Sequence, residues 1–192
     1  MAESILGTGV ALYFSVRIWL WVRHKSFELA AQKRKISKRG LVFIGVDLAI
    51  FAIVIFQLGF SQFGRMDLGV LSEAVRMFGI SLFIIGVFLS SAGRIVLGKN
   101  WRPAIVSEAI DKGQRLVTSA PFSIIRHPIY SGMILIGVGF ELSLLSWFFL
   151  AIIPLAFLLY WQAKSEEIAL LRAFSEYERY KKNTKMFFPR VL

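Results

Sequence analysis

The chain of 192 residues has no cysteine, which excludes a disulfide framework, a thiolate metal site and a cysteine nucleophile. Acidic residues are scarce: 12 Asp and Glu stand against 23 Lys and Arg, for a formal net charge of +11. A balance that basic can mark a nucleic-acid partner, but no basic-aromatic binding module is present, so nucleic acid is set aside. Internal repeats and low-complexity segments are absent too. What the chain has in abundance is apolar residues, 56% of the total, gathered in long runs almost free of charge. A soluble domain spreads its charges over its whole surface; here they collect in short stretches between the runs, the pattern of a chain that sits in lipid.

The runs read as five transmembrane helices of an all-α integral membrane protein. Ser4 to Val22 is long enough to span about 30 Å of hydrocarbon at the helical rise. It starts after Glu3, without a basic leader or a small-x-small cleavage site, and is read as a mature helix rather than a signal peptide. The loop Arg23 to Arg39 carries seven Lys or Arg against one Glu and is expected on the cytoplasmic side. Leu41 to Phe60 is the second span, Gln62 to Glu73 an outer connection, and Arg76 to Leu97 the third span. Gly98 to His127 returns to the cytoplasmic side with Lys99, Arg102, Lys112, Arg115 and Arg126. Pro128 to Phe140 and a run ending at Trp161 then form a helical hairpin, helices four and five; the short fourth run and Pro154 in the fifth leave the pair either tilted and kinked or not reaching fully across. The N-terminus falls outside and the tail from Gln162 inside. The membrane is the cell (inner) membrane if the source is prokaryotic and the endoplasmic reticulum if it is eukaryotic. Residues 1–97 are expected to act as scaffold and acceptor route, residues 98–192 as the cofactor-binding region.

Asp47, Arg17 and Arg94 share one depth within the spans, and an ionisable group there is costly unless paired, so Asp47 with Arg94 or Arg17 reads as a structural ion pair. The glycines Gly79, Gly86, Gly132, Gly137 and Gly139 read as close-packing positions between helices.

Chemistry concentrates in an ordered series. It comprises Gly98-Lys-Asn-Trp101-Arg-Pro, Leu116-Val117-Thr-Ser-Ala-Pro-Phe, Arg126-His127-Pro-Ile-Tyr130-Ser-Gly132, the pair Glu166-Glu167, and Tyr177, Tyr180 and Phe188-Pro189. Arg126 and His127 stand just before Pro128, where a helix N-terminus favours an anionic group. Glu166 and Glu167 stand at the expected exit of helix five, beside that start, so cation-binding and anion-binding groups converge on what suits a zwitterion. Singly, each block also has a bland explanation, as an interfacial charge pair or an aromatic anchor. Their order and spacing together carry the reading.

This series resembles the C-terminal region of the isoprenylcysteine carboxyl methyltransferase family and of the related phospholipid methyltransferases, over roughly Gly98 to Pro189. The resemblance implies S-adenosylmethionine as methyl donor, in a cytoplasmic-side pocket enclosed by helices four and five and the C-terminal tail. A tunnel from the bilayer would admit a lipidic acceptor. By this resemblance His127, Tyr130, Gly132 and Glu166 contact the cofactor, Glu167 binds its ammonium or ribose, Leu116 and Val117 offer backbone groups to the adenine, and Trp101 walls the pocket. Arg126 and Glu167 are the residues expected at the chemistry, Arg126 orienting the acceptor; no metal is implied. Two departures stand out: Ala120-Pro121-Phe122 replaces the usual Gly-Pro-Tyr, and Gln162 and Lys164 stand where prenylcysteine enzymes often carry an arginine. The acceptor therefore stays open between a prenylated cysteine carboxylate or similar small molecule and an amino-phospholipid. Outside catalysis, the alternative is a membrane scaffold or interaction protein.

Overall fold

The computed structural model describes residues 38–60, 64–101, 110 and 113–189. Five α-helices follow one another: α1 Lys38–Gly59, α2 Ser72–Leu97, α3 Pro128–Ser143, α4 Ile152–Ala173 and α5 Tyr177–Asn183. Short 3-10 turns bracket α2 at Gly69–Leu71 and Gly98–Asn100, and another, Trp147–Ala151, leads into α4. Among the described residues there is no strand, only two isolated bridges, Arg65 with Ser146 and Ile125 with Lys185. The expected first span, Arg17 and most of the basic loop from Arg23 lie outside the described residues, as does the side chain of Asp47.

Among the described residues two stretches, Gly69–Asn100 with 32 residues and Trp147–Ala173 with 27, are long and apolar enough to cross a membrane. The apolar α3, with 16 residues, rises only about 24 Å and falls short of a full hydrocarbon thickness. Their outward faces carry the large apolar side chains a bilayer would solvate, among them Phe78, Ile85 and Phe88 on α2 and Ile153, Phe157 and Trp161 on α4.

Helix boundaries differ from the sequence expectation in instructive places. α2 starts at Ser72 rather than Arg76, because Glu73 in its first turn suits the positive helix end. α4 does not stop at Trp161 but runs on to Ala173. The loss of hydropathy after Trp161 marks a change of surroundings and not the end of the helix. Pro154 does not interrupt this helix: it sits in the first turn, where the missing N–H costs no hydrogen bond.

α2 and α3 lie in backbone contact. Gly79, Gly86 and Gly93 recur every seven residues on α2, and Gly132 and Gly139 repeat the interval on α3, so each set lines one face. A Cβ added at Gly86 would stand 2.7 Å from the Gly132 carbonyl, and one at Gly132 would stand 2.7 Å from the Gly86 carbonyl. A Cβ at Gly139 would meet the backbone of Phe83 and Gly79. Glycine is required here by lack of room, and the contact is the close helix approach that lipid, which offers no hydrophobic drive between helices, rewards.

At one end of this pair, buried polar groups tie α1 to the α3–α4 connection. Gln57 Nε2 donates to Glu141 Oε2 at 2.8 Å and to Ser146 Oγ at 3.1 Å, and Arg76 Nη1 donates to the Ser143 carbonyl at 3.2 Å. Main-chain bonds from Met66 to Leu145 and from Trp147 to Gly64 close the same end. The opposite end, where α3 begins and α4 finishes, gathers the residues singled out from the sequence.

Because the α2–α3 contact has no slack, Gly139→Leu lowers the thermal midpoint of the detergent-solubilised protein by about 5 °C or more. Gly45→Ala, at a position where a Cβ meets nothing within 4 Å, leaves it unchanged or slightly raised. Differential scanning fluorimetry of the two variants checks both.

Candidate active site

The site is built from three separated stretches: the lead-in and first turn of α3, the last turns of α4, and α5 with the segment after it. Pro128 opens α3 with its φ already helical, and no side chain caps the helix, so its positive end is left open. On α4, Leu159, Gln162, Ala163, Glu166 and Glu167 recur at three- and four-residue steps and share the inner face. Ala163 is fully buried, and its small side chain lets the buried Met186 and Phe187 of the tail pack against it.

The tail is fastened to the start of α3 through its main chain. Arg126 N donates to the Lys185 carbonyl at 2.8 Å and His127 N to the Met186 carbonyl at 3.0 Å. Ser131 Oγ donates to the Phe187 carbonyl at 2.7 Å. Phe187 thereby sets its ring 5.9 Å from the His127 ring, while the Tyr130 ring lies parallel to His127 on a 5.6 Å centroid separation.

Glu167 is the electrostatic centre. Its side chain is 1% exposed, and Arg126 Nε donates to its Oε1 at 2.7 Å while Lys181 Nζ stands 2.8 Å from its Oε2. Arg126 also donates through Nη1 to the carbonyls of Lys181, at 3.2 Å, and Thr184. Glu166, one position earlier, points to a more open space, its side chain 32% exposed. Its Oε1 accepts from Tyr130 Oη and from Gln162 Nε2 at 3.1 Å. His127 lies between the two carboxylates, Nδ1 3.7 Å from Glu166 Oε2 and Nε2 3.6 Å from Glu167 Oε1. Both separations exceed a hydrogen bond, and His127 Nε2 is buried without a hydrogen-bond partner.

Two phenols back the cluster. Burial pushes the Tyr180 phenol up to about 12 and likewise raises that of Tyr177, helped there by the charge on Glu167, so both remain protonated donors at neutral pH. Tyr180 Oη donates to the Phe122 carbonyl at 2.7 Å, which fastens the Ala120-Pro121-Phe122 turn to α5. Tyr177 Oη is buried without a hydrogen-bond partner.

Of the residues expected from the sequence, Arg126, His127, Tyr130, Glu166 and Glu167 come together. Gly132 is taken up instead by the helix contact, where an added Cβ would meet Gly86 and Ser90 of α2. Arg126, expected to orient an acceptor, has its side chain 9% exposed and directs Nε and Nη1 to Glu167 and the tail. Trp101 stacks beneath the Arg94 guanidinium at 4.1 Å, and Arg94 Nη1 donates to the Gly98 carbonyl at 3.1 Å. Leu116 and Val117 are half-buried in an irregular stretch that Gln114 and Arg115 pin to Asn100, next to Trp101. Lys181 and Ser131 were missed by sequence reasoning. Lys181 sits one helical turn after Tyr177, a spacing that could have placed it on the same inward face.

Among the described residues no group of three or more His, Cys, Asp or Glu is placed to hold a metal ion. The cluster instead offers one partly open carboxylate, one unpaired imidazole nitrogen and an uncapped helix start, within a wall of aromatic rings.

Two curated relatives are the cobalt-zinc-cadmium resistance protein CzcN of Cupriavidus metallidurans, 34% identical over 114 residues, and the nickel-cobalt-cadmium resistance protein NccN of Alcaligenes xylosoxydans xylosoxydans, 33% identical over 118. Each alignment covers 58% of this chain, and the chain spans about half the length of these relatives, 50% of each. The fold is that of a solved structure of the eukaryotic intramembrane Ras methyltransferase ICMT, isoprenylcysteine carboxyl methyltransferase. The match has a TM-score of 0.59 at 17% identity and covers 97% of this chain and 68% of that one. Residues 75–177, more than half of the 192, match the family model of the phospholipid methyltransferases. The chain therefore belongs to the phospholipid methyltransferase family, in an all-helical fold shared with the membrane enzyme ICMT.

Proposed function

We propose that this chain transfers a methyl group from S-adenosylmethionine to a lipidic acceptor in the membrane, and that the acceptor group is a carboxylate, that of a prenylated cysteine or a similar small molecule. The observation that carries the reading is the convergence of Glu166, His127 and Tyr130 at the open start of α3, in a chain of this family. When bound, S-adenosylmethionine supplies an electrophilic methyl group on a sulfonium centre. The residues present fit such a zwitterion. Glu166 would face the ammonium, held in place by Tyr130 and Gln162, whereas the α3 N-terminus and His127 Nε2 suit the carboxylate end. Trp101, Leu116 and Val117 are assigned to the adenine side, and Phe187 and Tyr130 exclude water around His127.

The engagement of the other groups favours a carboxylate acceptor. Glu167 is held by Arg126 and Lys181, and Glu166 by Tyr130 and Gln162, so neither is offered as a general base. A carboxylate is already ionised near neutral pH and attacks a methyl group in line without one. Positioning is then the chief task of the protein, and Arg126 serves it by holding Glu167 and the tail. A second reading, methylation of an amino-phospholipid, is favoured by the family's description and by His127 Nε2, the one unpaired buried base in the cluster. The proposal places the protein in the membrane as a multi-pass chain of five spans with its N-terminus outside and the site on the cytoplasmic side.

Isothermal titration of the detergent-solubilised protein with S-adenosylhomocysteine tests the cofactor assignment. Saturable binding is expected, weakened about tenfold or more in both His127→Ala and Glu166→Gln. A well-folded sample that ignores the ligand overturns the reading. Transfer of a labelled methyl group to farnesylated cysteine or to phosphatidylethanolamine separates the acceptors. A methyl ester loses its label in mild alkali, the expected result, whereas alkali-stable label in phospholipid establishes the second reading.

A further inference from the structure

We infer that Lys181 is a positioning residue of this site, acting through Glu167 to keep His127 Nε2 available to a bound ligand. The inference rests on the methyltransferase reading above. Lys181 lies beyond residue 177, where the family match ends, and in no motif singled out from the sequence.

A buried carboxylate has to be matched by positive charge; with water excluded, an unmatched one draws the nearest cation or donor. Around Glu167 three nitrogen bases compete: Arg126 Nε at 2.7 Å, Lys181 Nζ at 2.8 Å and His127 Nε2 at 3.6 Å. Arg126 donates to Oε1, Lys181 stands against Oε2 as an ion pair without hydrogen-bond geometry, and the imidazole is left outside hydrogen-bond range. Were the ammonium removed, the carboxylate would keep one cation, His127 Nε2 would be the next nitrogen near it, 3.6 Å from Oε1, and a His127–Glu167 bond would turn the imidazole nitrogen away from the space before α3. Lys181 is well placed for this work. Its main-chain carbonyl accepts from Arg126 Nη1, so the backbone and the side chain of one residue engage both members of the buried pair. Its side chain, 34% exposed, reaches in from the surface, so it supplies the second cation without the cost of burying another whole charged side chain.

The test is a double-mutant cycle on S-adenosylhomocysteine affinity with Lys181→Met, Glu167→Gln and the pair together, using monodisperse full-length protein. Lys181→Met is expected to weaken binding about tenfold, as one of the two cations matched to the buried carboxylate is lost, and Lys181→Arg to restore most of it. The double variant is expected to bind no more weakly than Glu167→Gln alone, because Lys181 has no role once Glu167 is neutral. Losses that multiply in the double variant, or a Lys181→Met protein with wild-type affinity, overturn the positioning role while leaving the methyltransferase reading intact. Absence of binding in the wild type removes that reading and this inference together. Should Lys181→Met fail to fold, Lys181→Gln takes its place in the cycle and the same outcomes decide.

Discussion

A carboxylate withdrawn from water has to be met by positive charge and by donors, and Glu167 imposes that demand on everything near it. Its two partners come from opposite sides of the site: Arg126 from the lead-in to α3, Lys181 from α5. Satisfying one side chain on α4 thus fixes the mutual placement of three stretches far apart in sequence. A buried ion pair gains little net stability over a well-packed apolar alternative, but a mispaired one is heavily penalised. What the pair secures is registry. The helices can meet in one arrangement that leaves no charge unmatched, and in that arrangement Glu166 is turned toward the opening.

The glycine contact between α2 and α3 serves the same end by different means. α3 is too short to be held by its own length in a bilayer, so its depth is set by what it lies against. Backbone-to-backbone approach at Gly86, Gly132 and Gly139 leaves no freedom to slide, since a shift of one residue would set side chains where only hydrogens fit. The first residues of α3 are therefore placed beside Gly93 and the last turn of α2, which carries Arg94 and, through it, Trp101. Rigid helix packing and a buried charge network, one within the bundle and one at its end, locate the same few atoms.

Much of this was legible in the sequence for a plain reason: apolar runs report where lipid is, and punctuation by charge reports where it ends. The helices α1, α2 and α3 were readable to within a few residues. The end of α4 was not, because beyond Trp161 the helix continues with one face toward the tail and the other toward water, and a hydropathy run cannot show that. Pro154 left the course of the last span open because its effect depends on which turn of the helix it occupies. In the site, Arg126, His127, Tyr130 and the glutamate pair stood out by type and spacing, with the cofactor's ammonium or ribose expected at Glu167, yet the sequence did not show that Arg126 and Lys181 enclose Glu167 and leave Glu166 the more open. That division of tasks comes from which inner-face position meets the cations of other elements. Gly132 was expected both at a helix contact and at the cofactor, and the structure shows its contact with α2. Lys181, in a run that reads as a solvated basic turn, acquires its place solely through the fold.

The tail's attachment to the start of α3 has a consequence for how the protein is made. The main-chain bonds from Arg126 and His127 reach Lys185 and Met186, which are synthesised after all the helices they complete. While α3 and α4 are leaving the ribosome and entering lipid, the glutamate pair and the open helix end have no wall behind them. The site comes into being only once residues 185–187 have followed and docked onto the helices made before them, so insertion of those helices and acquisition of the site are separable steps in the biogenesis of this chain.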